Sequence, residues 1–188
     1  GRHTRLRRDW SSDVCSSDLL AAQAKEIDAR LDAVIAPCGG GGLISGSALA
    51  LAHESPDTEI YAAEPEGFDD TARSLVAGTR LANEAGAKSF CDALVLPMPG
   101  ESTFSINQRL VSGGMSVSDH QTAQAMKAAF QYLKLVVEPG GAVALAAALS
   151  GAYDCRDTTV AVICSGGNVD AGIFAEALSS ADPFVDKI

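Results

Sequence analysis

Asp32-Ala33-Val34-Ile35-Ala36-Pro37-Cys38-Gly39-Gly40-Gly41-Gly42-Leu43 begins as an apolar run and ends in four consecutive glycines. A short apolar run bounded by turn residues suits a strand buried on both faces. The small-residue stretch from Leu43 to His53 suits a helix. Strand, glycine loop and helix in that order form the first unit of an α/β fold. A turn requires only one or two glycines, and each costs backbone entropy. Four in a row make sense where several backbone N–H groups converge on one anion. The chain can then approach closely, and the next helix adds its positive end. A tight strand-to-helix turn is the plainer alternative. The loop is no dinucleotide fingerprint, because no register from Gly39 to Gly46 has glycines at i, i+2 and i+5. It is no Walker loop either, since neither Lys-Ser nor Lys-Thr follows.

Working outward, Ala21 to Leu31 reads as a helix with Ala24, Ile27 and Leu31 on one face. Glu59 to Glu64 reads as a second strand, stopped by Pro65. A helix is expected near Asp70 to Ala77, while Leu81 to Ser118 has no clear period. Val117-Ser118-Asp119 looks like a strand end leading into a cap, with a helix over Gln121 to Leu133. Pro139-Gly140-Gly141 opens another small-residue helix reaching Leu149. Thr158 to Ile163 is a third apolar strand, and it too ends in a glycine-rich loop. The alternation predicts an α/β fold, a largely parallel sheet with flanking helices.

The 188 residues are 47% hydrophobic and 20% charged, which describes a globular chain with a core. A net charge of −10 argues against nucleic acid as a partner. No apolar run is long enough for a membrane span. Cys15, Cys38, Cys91, Cys155 and Cys164 are scattered without metal-ligand spacing, which suits a reducing cytoplasm.

Residues 1–19 differ from the rest. Four arginines crowd the first eight positions, and a repeated Ser-Ser-Asp follows without periodicity. Asp9 to Leu19 resembles the translation of a sequencing-library adapter. Residues 1–19 are therefore expected to be non-native and disordered, and residues 20–188 to form the domain. Without the first nineteen residues the chain carries 10 basic and 21 acidic residues, a net charge of −11.

Ser165-Gly166-Gly167-Asn168 ends the third apolar strand. Ligands of parallel sheets sit beyond the carboxyl ends of strands, so the two glycine loops are expected to share one edge and one pocket. An ordinary left-handed turn is the alternative for this loop. Four segments then occur in order: Pro37 to Gly46; Tyr61-Ala62-Ala63-Glu64-Pro65; Lys134 to Ala142, containing Glu138-Pro139-Gly140-Gly141; and Ser165 to Asp170. Together they resemble the C-terminal half of the fold-type II pyridoxal-phosphate enzymes, the tryptophan synthase β-like group. Within it they are most similar to the branch of threonine/serine dehydratases and serine racemases. The similarity covers nearly everything from Leu20 onward.

The resemblance implies that the amides of Gly39, Gly40, Gly41, Gly42 and Leu43 hold the phosphate of pyridoxal 5'-phosphate. It implies that the Ser165 hydroxyl faces the pyridine nitrogen and leaves it unprotonated. Glu138 is placed near the ring, with a structural helix-entry carboxylate as the alternative. Glu64, the Phe68 carbonyl and Asp70 match a divalent-cation site, suited to magnesium or calcium. Acidic pairs such as Asp69-Asp70 also serve as solvated helix starts. Lys134 and Asn168 match positions that touch a nucleotide effector in serine racemases.

The family's Schiff-base lysine lies in a Ser-Phe-Lys type motif, which this sequence lacks. Lys25, Lys88, Lys127, Lys134 and Lys187 are the only lysines, and Lys134 matches a non-catalytic position. The implied reading is an N-terminally truncated, inactive fragment of a cytoplasmic homodimeric or homotetrameric lyase. The intact enzyme would convert L-threonine or L-serine to a 2-oxo acid and ammonia. A serine racemase is the near alternative. A nicotinamide-dependent oxidoreductase, with Glu64 as its ribose-binding acid, and a non-catalytic effector-binding domain are more distant ones.

Overall fold

The computed structural model describes residues 11–180, with side chains from 18 to 179. Four strands form one sheet: β1 Ala33–Pro37, β2 Glu59–Pro65, β3 Gly113–Val117 and β4 Val160–Val162. Their order is β3-β2-β1-β4, and every pairing is parallel. The helices are α1 Ser11–Glu26, α2 Gly42–Glu54, α3 Asp70–Ala77, α4 Glu101–Leu110, α5 Asp119–Ala128, α6 Pro139–Ser150 and α7 Ala171–Ser180. A 3-10 turn, Asp92–Leu94, precedes α4, and a π-helical turn, Ala129–Leu133, extends α5. No helix among the described residues is long and apolar enough to cross a membrane.

All five residues of β1 are buried. Ile35 joins the core under α5 and α6, whereas Val34 and Ala36 join the core under α1 and α2. Alternate side chains of a strand point to opposite faces, so covering both faces requires the unbroken apolar run seen in the sequence. Fully burying a side chain such as Ile35 contributes roughly 1.5–3 kcal/mol. The buried face of α6 is made of Pro139, glycines, alanines and one valine, Val143, which lets the helix sit close to the strands.

Five readings are corrected. The apolar run Thr158 to Ile163 is the fourth strand, not the third, and only Val160–Val162 is strand. The unread stretch between Leu81 and Ser118 holds α4 and β3. Pro65 lies inside β2 as its last residue, paired opposite Val117. The first helix ends at Glu26, five residues before Leu31, and Asp28 turns the chain at φ 54°. Part of the adapter-like segment, residues 1–10, lies outside the described residues. Ser11 to Leu19, expected to be disordered, instead forms the first turns of α1.

Candidate functional site

Parallel pairing places the ends of β1 and β4 side by side. Val162 is in register with Ile35, and the Ile163 N–H donates to the Ile35 carbonyl at 3.0 Å. The glycine loop after Pro37 and the Ser165 loop therefore leave the same carboxyl edge from neighbouring strands, as the sequence implied.

The N–H groups of Gly39, Gly40, Gly42 and Leu43 have no hydrogen-bond partner among the described residues, while the Gly41 N–H lies beside the Cys38 thiol. Gly42 is exposed, Gly39, Gly40 and Leu43 are half-buried, and Gly41 is buried. The loop therefore offers a short row of accessible, unsatisfied donors at the start of α2. Three of its glycines also have local reasons. A Cβ on Gly39 would lie 3.2 Å from the Leu94 Cα, and one on Gly40 would lie 3.2 Å from the Leu96 Cδ1. Gly41 has φ +87°, and its Cβ would meet Thr103 Oγ1 and Asn107 Nδ2 at 2.9 Å. Only at Gly42 would a Cβ enter open space. The turn thus uses more of its glycines for geometry than the sequence suggested, while the row of free donors remains.

Ser165 is exposed. Glu138 precedes α6 but does not cap it with its side chain. Its carboxylate instead accepts the Asn168 N–H at 3.1 Å, and its own N–H donates to the Gly166 carbonyl at 3.0 Å. A Cβ on Gly166 would meet the Glu138 carboxylate, one on Gly167 would lie 2.6 Å from the Val136 carbonyl, and one on Gly141 would lie 2.7 Å from the Gly166 carbonyl. In this structure Glu138 acts as the clamp that holds the Ser165 loop against α6.

Glu64 is fully buried at the end of β2. Its two oxygens accept the N–H groups of Thr71 at 3.0 Å and Ala72 at 2.8 Å, in the first turn of α3. Burial pushes its carboxyl up to about 8, against the pull of those two donors, and the charge of nearby Asp70 adds to the rise. Burial raises the Asp70 carboxyl as well. One Asp70 oxygen is held by the Asn83 side chain, and the other is buried without a partner. Both Glu64 oxygens are thus taken up by α3, and only the orphaned Asp70 oxygen is left without a partner. Among the described residues no three His, Cys, Asp or Glu side chains gather. Cys38 is buried beside Thr71, and burial holds its thiol protonated, so it behaves as a small hydrophobe.

Lys134 is exposed, in a left-handed conformation at φ 61°, and its Nζ donates to the Gln131 carbonyl at 2.6 Å. A concavity lined by Leu149, Gly151, Tyr153, Asp154, Cys155 and Arg156 opens beyond the C-terminal end of α6 and holds none of the anticipated site residues. Sequence reasoning missed Thr103 and Asn107, which come from α4 and touch the glycine loop. Their only sequence signal was a helix start at Gly100-Glu101, inside a stretch without clear periodicity.

A family model described as "Pyridoxal-phosphate dependent enzyme" matches residues 17–166. A β-hydroxyaspartate dehydratase of Paracoccus denitrificans (strain Pd 1222) is 40% identical over 157 residues, which are 84% of this chain and 48% of that protein. A serine racemase of Arabidopsis thaliana is 36% identical over 172 residues, 89% of this chain and 51% of that one. The solved structure of a threonine deaminase from T.th. superposes with TM-score 0.80 at 39% identity, over 86% of this chain and 57% of the other. The chain spans about half the length of the curated relatives it matches.

Proposed function

Because this chain belongs to the family of pyridoxal-phosphate dependent enzymes, we propose that it carries the cofactor-phosphate and ring-nitrogen contacts of a lyase acting on small 3-hydroxy amino acids. Residues 20–188 are the part that belongs to this enzyme. L-Threonine and L-serine are the proposed substrates, and the products are a 2-oxo acid and ammonia. The hydroxyl leaves as water, and water is taken up again when the resulting enamine is hydrolysed. Bound pyridoxal phosphate supplies an electron-withdrawing ring that acidifies the hydrogen on the substrate's α-carbon.

The roles of this chain are binding and orientation. The N–H groups of Gly39 through Leu43 receive the phosphate, aided by the positive end of α2. The Ser165 hydroxyl meets the pyridine nitrogen without adding charge, and Glu138 fixes the loop that presents it. Glu64, the Phe68 carbonyl and Asp70 would hold a magnesium or calcium ion, which ties β2 to the start of α3 and has no chemical role here. The full enzyme is read as a cytoplasmic dimer or tetramer.

The reading rests on one observation. A row of unpartnered N–H groups opens on the carboxyl edge beside the Ser165 loop. Its test is Gly42→Asp, assayed by calorimetric titration of pyridoxal phosphate into the chain. The Cβ enters open space, and a carboxylate in the first turn of a helix favours folding. The melting temperature should hold or rise while cofactor affinity drops at least tenfold. Unchanged affinity would remove this loop from the cofactor site.

A second reading, racemisation of serine, is favoured by the Arabidopsis relative's name. An active full-length enzyme that inverts serine faster than it releases 2-oxo acid would select it.

A further inference from the structure

Two carbonyls of the glycine loop are fastened from behind. Thr103 Oγ1 donates to the Gly40 carbonyl at 2.6 Å, and the Gly100 N–H reaches the same oxygen at 3.3 Å. Ser45 Oγ donates to the Gly41 carbonyl at 2.6 Å, and the Ser45 N–H does so at 3.0 Å. A peptide unit is planar and trans, so its C=O and N–H point in opposite directions. Fastening the Gly40 oxygen therefore fixes the direction of the Gly41 N–H, and fastening the Gly41 oxygen fixes that of the Gly42 N–H. The Gly42 N–H has no partner among the described residues, and the Gly41 N–H beside it lies next to the Cys38 thiol.

We infer that Thr103 and Ser45 are positioning residues of the anion cradle, setting the direction of two of its N–H groups by holding the carbonyls behind them. The inference rests on reading Gly39 to Leu43 as the phosphate site. Neither side chain touches the anion.

Asn107 completes the bracket. It is buried on α4, its Oδ1 lies 2.8 Å from Ser45 Oγ, and its Nδ2 has no partner. Ser45 Oγ also approaches the Thr103 carbonyl at 3.3 Å. A hydroxyl has one proton to give, and the 2.6 Å contact to Gly41 takes it. With the Asn107 amide turned about its Cβ–Cγ bond, Nδ2 would donate to Ser45 Oγ, and all three groups would form one directed chain ending at the Gly41 carbonyl. Preorganised donors bind an anion more tightly than donors that must first turn toward it.

The probe is inorganic phosphate, titrated by calorimetry into the 188-residue chain, with thermal unfolding measured separately without phosphate. Thr103→Val keeps the shape and removes the hydroxyl. Thr103→Ser keeps the hydroxyl, and Ser45→Ala leaves the Ser45 N–H contact intact. We expect Thr103→Val to weaken phosphate about tenfold, roughly the value of one net hydrogen bond. Thr103→Ser should stay within about twofold of the parent. Ser45→Ala should weaken phosphate about threefold, and it serves as the test if Thr103→Val does not fold.

A lower melting temperature with unchanged phosphate affinity in the folded variants would overturn the inference, because it would make both hydroxyls merely structural. If the parent chain binds no phosphate at all, the cradle reading fails first and the inference falls with it.

Discussion

Gly41 and Gly42 are neighbours of one residue type with different tasks. Gly41 holds φ +87° against Thr103 and Asn107, so Gly41→Ala should cost about 1–3 kcal/mol in a urea unfolding series. Gly42 begins α2 and faces open space, so Gly42→Ala should be neutral or gain up to about 1 kcal/mol. The sequence revealed that glycine was required here. It could not separate the four, because Leu94, Leu96, Thr103 and Asn107 arrive from more than fifty positions away. Glu138 was legible as important, but its clamp on Asn168 was not, since that contact spans thirty residues.

Glu64 carries the pH prediction. Its folded-state value, about 8, lies above its ordinary 4.5, so between these limits the folded chain keeps a proton that the unfolded chain has released. Its contribution to stability is complete below about pH 4.5 and is lost as pH rises through 8. In chelator, melting temperature should fall from about pH 6 to about pH 9. Glu64→Gln should melt lower at acid pH, because its amide turns an N–H toward α3, and it should lose that slope. Magnesium or calcium at about pH 8 should raise the parent's melting temperature and leave Asp70→Asn unmoved. No rise would assign Asp70 to α3 alone.

At the scale of elements, the clearest agreement between sequence and structure is the start of α5. Ser118 accepts the Gln121 N–H at 3.2 Å, and the Gln121 side chain accepts the Ser118 N–H at 2.8 Å, a reciprocal capping box. Val117-Ser118-Asp119 was legible as strand end and cap because capping is local chemistry. Ser118→Ala should cost about 0.5–2 kcal/mol, read from the shift of the urea midpoint at constant slope. Of the strand just before it, β3, only the end at Val117 was legible. Gly113-Gly114-Met115-Ser116-Val117 has no apolar run, and its glycines serve packing. A Cβ on Gly114 would lie 2.7 Å from the Ala72 Cβ and 2.9 Å from the Ala72 Cα on α3. Gly114→Val should therefore overpack the β3–α3 contact and cost about 1–3 kcal/mol by the same assay. The helix α3 is held from two sides, by Ala72 against β3 and by Glu64 beneath its first turn, so this variant should also sharpen the pH dependence assigned to Glu64.

In the whole molecule, the chain lays down β1, β2 and β3 outward, then returns through α5 and α6 to place β4 on the far side of β1. Local patterns identified the parallel class, but neighbour order is a long-range property that no single segment encodes. The return brings the Ser165 loop beside the glycine loop at one sheet edge, where the proposed phosphate cradle and ring contact would lie. Lys25 pairs with Glu54 at 3.3 Å, and Lys134 is exposed and turned to the Gln131 carbonyl. The chain with added pyridoxal phosphate should therefore show weak, reversible binding, no adduct fixed to a lysine by borohydride, and no 2-oxo acid from threonine or serine. Joined to the half that its relatives have and it does not span, including a Ser-Phe-Lys type motif, the protein should gain both the adduct and the turnover. The decisive measurement is peptide mass mapping after borohydride treatment of the 188-residue chain. A label on Lys134 together with turnover would make Lys134 the bonding amine, and the Ser165 and glycine loops would then belong to an enzyme complete within these residues.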